Sequence, residues 1–185
     1  MSSEDRLAAL ERKVGYLTDR QQILDCICRT SRGNDRFDIE LISGSYHDDG
    51  IHEIARDRIS GQQYGEHANH AHALLFDANL HHVTMHLCEI DGDVAHAESY
   101  VIGLFLNKGE PKSKILSGRY IDRLERRDGQ WKIALRRATV EVILEGSAEY
   151  MQLPIFADRG YLKGNRDKSD PSYQRPLTLE GGERW

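Results

Sequence analysis

Apolar positions in the first part of the chain recur at helical spacing. Leu7, Leu10, Val14 and Leu17 stand three and four residues apart and form one stripe. Ser2 with Asp5 resembles a capping box, with Asp in place of Glu or Gln, and Thr18-x-x-Gln21 is a closer match. The pattern therefore predicts a second helix starting near residue 18, with Ile23, Cys26, Ile27 and Thr30 on one face and Gly33-Asn34 near its C-terminal cap. Residues 37–46 predict a short amphipathic helix with Phe37, Leu41 and Ile42 inward. HDDG at 47–50 predicts a turn, 51–58 a strand, and 62–77 a helix with Tyr64, Ala68, Ala71, Leu74 and Leu75 on one side.

From residue 80 the period changes to that of strands. Runs at 80–91, 94–106, 114–125 and 131–145 are separated by Asp91-Gly92, the polar segment NKGEPKS and Arg127-Asp128-Gly129-Gln130, which predicts an antiparallel meander. Helices first and sheet last make an α+β arrangement. Beyond Tyr150, Pro154, Gly160, Gly164, Pro171 and Pro176 interrupt any regular period. The expectation is one domain over residues 1–150 and an irregular tail over 151–185. That tail wraps the domain, packs on a neighbouring subunit, or is partly disordered.

Composition narrows the function. The chain has 185 residues, 25 basic and 30 acidic, for a net charge of −5. Such a balance lacks the concentrated basic face of a nucleic-acid binder. No apolar run approaches the roughly 20 residues of a membrane span, and the charged N-terminal segment lacks an apolar signal core, so a cytoplasmic location is expected. Three cysteines make no disulfide framework. Nine histidines are the unusual feature. His67, His70 and His72 fall in a predicted helix, where HxH cannot chelate, and no glutamate follows as a cupin motif requires. These three, with His86 and His96, are expected to be bystanders, while His47 and His52 are placed to reach a pocket mouth.

Three segments carry a resemblance: RGNDRFDIELISGSYHDDG (32–50), LHHVTMHLCEIDGDVAHAESY (80–100) and SGRYIDRLERRDGQWKIALRR (117–137). Together they resemble the SnoaL-like branch of the NTF2-like superfamily over about residues 18–145. The resemblance implies a cone, with N-terminal helices packed on a strongly curved antiparallel sheet. Members such as hexachlorocyclohexane dehydrochlorinase, scytalone dehydratase and bile-acid dehydratase hold a histidine on a central strand with an aspartate from the first helical unit. The matching positions are Asp35 and His81. The dehydrochlorinase adds an arginine on the last long strand, matched by Arg136. Several dehydratases carry a tyrosine five residues before the aspartate, where this chain has Thr30. A phenol in the pocket would then come from Tyr46, Tyr64, Tyr100 or Tyr120.

Alternatives stay open at this level. Asp35 can instead cap the 37–46 helix. His81 and His82 point to opposite sides of a strand, so a one-residue slip hands the role of base, or a place in substrate binding, to His82. Arg136 and Arg137 pose the same question. The function expected is a cofactor-independent lyase acting on a small apolar, aromatic or cyclic molecule, with loss of water, halide or a small aldehyde such as formaldehyde. In it, an Asp–His pair is the base and Arg136 the anion stabiliser. A ketosteroid-isomerase-like or polyketide-cyclase-like enzyme would use a carboxylate base such as Glu98. A binding or dimerisation module, or a small subunit of a ring-hydroxylating dioxygenase, would need no catalytic pair. Self-association as a trimer or dimer is expected, with Val101, Ile121, Ile133 and Val142 supplying apolar area.

Overall fold

The Ser2–Asp5 capping box forms in a computed structural model of the chain, which describes residues 1–179 and 181–185. The Ser2 hydroxyl accepts from the Asp5 N–H (3.0 Å) and the Asp5 carboxylate from the Ser2 N–H (2.8 Å). The helix it starts does not pause at residue 18. A single helix, α1, runs over Ser3–Arg36 and ends where Phe37 turns left-handed at φ 51°. No proline or helix-stopping pair interrupts it, so the second capping signal goes unused. Residues 1–18 are exposed apart from half-buried Ala8. Docking begins at Asp19, which accepts from the Trp131 indole (2.8 Å) and from Arg126 (3.0 Å). From there Ile23, Cys26, Ile27 and Thr30 enter the core.

Helix α2 (Ile39–Ser43) is shorter than expected and is capped by Asp38, whose carboxylate accepts from the Leu41 N–H at 3.2 Å. Asp35 is thereby released from the capping role. Strands β1 (Tyr46–Ile54) and β2 (Asp57–Ser60) follow, so HDDG lies inside a strand rather than in a turn. Helix α3 (Gly61–Leu75) begins against Tyr46, where a Cβ on Gly61 would lie 2.3 Å from the ring. Then come β3 (Phe76–Asp91), β4 (Val94–Asn107), β5 (Lys112–Arg127), β6 (Gln130–Ala138) and β7 (Val142–Ser147). The β5–β6 turn is the two-residue type that the Asp128-Gly129 pair predicts, with φ 52° and 75°.

The sheet order is β2-β1-β6-β5-β4-β3, with β7 on β5. Strands β3 to β6 form the antiparallel meander, while β1 lies parallel to β6. The predicted strand 131–145 is two strands. Residues 120–127 of β5 pair with β6 and residues 112–117 with β7. At the changeover Thr139 crosses Gly118 so closely that a Cβ there would sit 2.0 Å from the Thr139 carbonyl oxygen. The sheet thus curls around the helices as an unclosed cone, with Ile23, Ile27, Ile42, Leu124 and Ile133 at its centre. Burying each such side chain is worth about 1.5–3 kcal/mol.

The tail carries helix α4 (Pro154–Asp158) and then packs back onto the helical end of the domain. Asp170 pairs with Arg36 (3.4 Å), the Tyr173 hydroxyl donates to Asp38 (2.8 Å), and Arg166 donates to the Phe76 carbonyl (2.8 Å). Among the described residues no helix is long and apolar enough to cross a membrane. Two residues expected on an outer apolar face lie elsewhere. Val101 and Ile133 point inward and are buried, because the pleat places them with the core, whereas Ile121 and Val142 are exposed.

Candidate active site

An apolar cavity of about 310 Å³ opens inside the cone. Its apolar wall includes Ile54, Leu75 and Phe76 near the α3 end and Val101, Phe105, Leu116 and Ile143 from the sheet. Four polar rings interrupt that wall: Tyr64, His72, His81 and Tyr120.

His81 arrives from β3 and Asp35 from the last turn of α1. The His81 Nδ1 lies 2.7 Å from Asp35 Oδ1. Asp35 Oδ2 accepts from the backbone N–H of His81 itself at 2.9 Å, so one carboxylate grips both the ring and the strand that carries it. The Asn79 amide reaches the same carboxylate at 3.4 Å and the Asn34 carbonyl at 3.0 Å. An ionised carboxylate only accepts hydrogen bonds, so the Nδ1 of His81 holds the proton and Nε2 is left as the basic nitrogen of the neutral ring. Phe105 meets the His81 ring edge-on at 5.5 Å between centroids and limits its rotation.

His82 is corrected by the pleat. It is exposed on the opposite side of β3, so it lines no part of this cavity. Tyr100 likewise lies on the outer face, 38% exposed, with the Arg119 guanidinium over its ring. Tyr46 is fully buried behind the wall, where its hydroxyl meets His52 Nδ1 at 2.8 Å. Burial holds the His52 ring well below the usual histidine pKa, so the neutral imidazole accepts from the phenol. Tyr64 stacks on His52 at 3.6 Å and presents its other side to the cavity, and Tyr120 lines the cavity as well. Burial raises the phenols of Tyr64 and Tyr120 above their ordinary range, which keeps both protonated at neutral pH.

Arg136 is brought inward but not into the cavity wall. Its Nε and Nη2 donate to the two Asp122 oxygens at 2.7 Å each, and Nη1 donates to the Thr30 hydroxyl at 2.6 Å. The guanidinium lies 4.0 Å from the centre of the Tyr120 ring. Burial works against this charge and Asp122 more than offsets it, so Arg136 stays ionised. A contact between Arg136 and a bound anion is therefore corrected to an indirect role, as the support under Tyr120. Simple alternation along β6 cannot place this arginine. Leu124 pairs with Ile133 and Arg123 with Leu135, so Ala134 is an extra residue in the ladder and switches the side on which the later residues emerge. Trp131, Ile133 and Arg136 all face inward as a result.

His72, expected from the sequence to be a bystander, is corrected to a residue of the cavity wall. It follows Tyr64 and Ala68 at intervals of four, which places it on the inward stripe of α3, a signal available in the spacing. Its ring centre is 5.6 Å from that of His81, and its Nδ1 is buried without a hydrogen-bond partner among the described residues. Burial first, and then the neighbouring His81 and Arg166, lower its pKa to about 4. His47 and His86 are engaged by the Glu125 carbonyl (2.9 Å) and the Ser99 hydroxyl (2.9 Å). Among the described residues no three His, Cys, Asp or Glu side chains converge as a metal-ligand set.

Comparison with known proteins agrees with this architecture. No curated protein matches the chain. A hexachlorocyclohexane dehydrochlorinase (LinA, type 2) superposes with a TM-score of 0.68 at 20% identity, covering 73% of this chain and 93% of the other. A scytalone dehydratase-like protein of Novosphingobium aromaticivorans superposes at 0.63 and 20% identity over 70% and 88%. Rv3472 of Mycobacterium tuberculosis, of unknown function, superposes at 0.61 and is 31% identical over 69% and 74%. Residues 15–137 match the family model described as a SnoaL-like domain. The helices capped onto an open curved sheet and the match over two thirds of the chain lead to one conclusion: this protein belongs to the SnoaL-like family of the NTF2-like superfamily.

Proposed function

We propose that this protein is a cofactor-independent lyase that removes a proton from a small apolar, cyclic or aromatic substrate and expels a leaving group, with Asp35–His81 as the base. The observation that carries this reading is the 2.7 Å contact between Asp35 and a histidine that lines an apolar cavity. An apolar void of roughly 150 Å³ already accepts benzene, so about 310 Å³ suits a molecule of one or two rings.

His81 Nε2 takes a proton from a carbon next to the one bearing the leaving group. The C–H electron pair becomes the new double bond, and the leaving group departs with its own bonding pair. A halide leaves as the anion. A hydroxyl leaves as water by taking a proton, which protonated His81 can supply while regenerating the base. Loss of a small aldehyde starts instead from a substrate O–H: its proton goes to the same nitrogen, the O–H pair becomes the aldehyde C=O, and the C–C pair passes to an adjacent substrate carbonyl as an enolate, which takes the proton back from His81. Asp35 stabilises the imidazolium formed in each case and keeps the ring in its reactive tautomer. The neutral His72 ring and the phenols of Tyr64 and Tyr120 are hydrogen-bond donors placed to meet charge growing on the leaving atom or on a carbonyl oxygen.

Glu98, the candidate base of an isomerase, is engaged by Arg119 at 2.9 Å and does not line the cavity, which favours the histidine base. The test is a panel of halocyclohexanes and cyclic β-hydroxyketones, followed by chloride release and by enone absorbance. Turnover slowed by deuterium at the abstracted position and abolished in His81→Gln is the expected result. Unchanged turnover in His81→Gln would remove the base from this reading.

A further inference from the structure

Residues 3–18 of α1 project past the domain. At about 1.5 Å per residue they extend roughly 24 Å. The overhang carries Leu7, Leu10, Val14 and Leu17, exposed by 58%, 58%, 61% and 54%. Their spacing of three, four and three is that of the a and d positions of a heptad, with Leu7 and Val14 at a and Leu10 and Leu17 at d. At 3.6 residues per turn this stripe lies on roughly the opposite side of α1 from Ile23, Cys26, Ile27 and Thr30, the residues that enter the core. The helix therefore turns one apolar face to its own domain and, further along, a second apolar face away from it. An unsupported helix of this length is marginal in water, and Gly15 weakens it further.

We propose that this stripe is covered by the same stripe of a second copy of the chain, the two helices running parallel as a short coiled coil. The charges beside the seam choose the occupant and the direction. The g positions are Arg6 and Lys13, both basic, and the e positions are Glu4 and Glu11, both acidic. In parallel register Arg6 of each copy faces Glu11 of the other, whereas an antiparallel pair would set basic against basic and acidic against acidic. Gln21 and Leu24 continue the a and d series into the docked part of α1. Val14 at a between Leu10 and Leu17 at d suits two strands. Because the seam points away from the core-facing side, the two domains sit on the outside of the pair.

Full-length protein carrying Leu10→Glu and Val14→Glu is compared with the wild type by light scattering after size exclusion. The mass per particle is expected to halve, with the self-association Kd rising roughly a hundredfold or more. Both residues are exposed in the single chain, so the circular dichroism of the domain is retained. Orientation is read in a Cys28→Ser background, since Cys28 is the exposed cysteine among Cys26, Cys28 and Cys88. Air oxidation of Leu10→Cys is expected to give a covalent dimer, because parallel register sets residue 10 against itself. An unchanged particle mass in the double variant overturns the proposal. So does a cross-link that forms only when Leu7→Cys and Leu17→Cys chains are mixed.

Discussion

Two carboxylate–base pairs lie beside the cavity, and they are finished to different degrees. In Asp122–Arg136 every guanidinium nitrogen has a partner, and the group is closed over by Tyr120 at only 1% exposure. In Asp35–His81 the carboxylate is equally occupied, by a ring N–H and a backbone N–H, but among the described residues the other ring nitrogen has no hydrogen-bond partner and the ring lines the cavity. A buried ion pair repays desolvation only with good geometry and further hydrogen bonds, and a pair with a partner on every nitrogen is committed to holding structure. A pair with one vacancy holds its geometry and keeps a site for a proton. On the proposed function, the difference separates the support of the cavity from its chemistry.

The sharpest way to break that comparison is Asp35→Asn. The amide can still accept from the His81 backbone, but it donates to Nδ1, so the ring proton moves to Nε2 and the base is lost. Turnover should fall by about 10³–10⁴-fold with modest loss of stability. Next is Arg136→Met, which strands the Asp122 charge. Chemical denaturation should show a loss of about 3–5 kcal/mol, whereas a variant that lost turnover at unchanged stability would make Arg136 a substrate contact after all.

A third prediction concerns pH. His72 has a folded pKa of about 4, below the ordinary histidine value near 6.5. Between those values the unfolded chain binds a proton that the folded chain refuses, so acid favours unfolding. Stability contributed by this residue is complete above pH 6.5 and falls, on the order of 3 kcal/mol in all, as pH drops to 4. Urea unfolding from pH 7 to 4 should show a shallower slope for His72→Phe than for the wild type. The smallest effects belong to His82→Ala and Tyr100→Ala. Both residues lie outside the cavity, so each should leave turnover unchanged and move stability by no more than about 0.5 kcal/mol.

Much of the frame was legible because its signals are local. The capping box at Ser2, the Asp128-Gly129 turn and the strand period after residue 80 each act through neighbours in the chain, and each appears where expected. The failures share a different cause. Thr18-x-x-Gln21 is a sound cap signal, but the helix continues, with Asp19 held in α1 by Arg126 and Trp131 from more than a hundred residues further along the chain. The apparent strand 131–145 breaks because the two parts of β5 need separate partners.

The sequence by itself determined the helices-first, sheet-last order, the hairpin turns and the apolar stripe from Leu7 to Leu17. Those properties follow from period and turn chemistry along one chain, whereas Asp35 and His81 were reached through the resemblance to the SnoaL-like family. Only the tertiary structure decided that His81 and not His82 meets the cavity, that His72 joins it there, and that Arg136 is spent on Asp122 and Thr30. The physical reason is that strand parity changes at a bulge and that a side chain's partner is chosen by packing across elements. The bulge at Ala134 is created by pairing with β5, and no run of residues within β6 contains it.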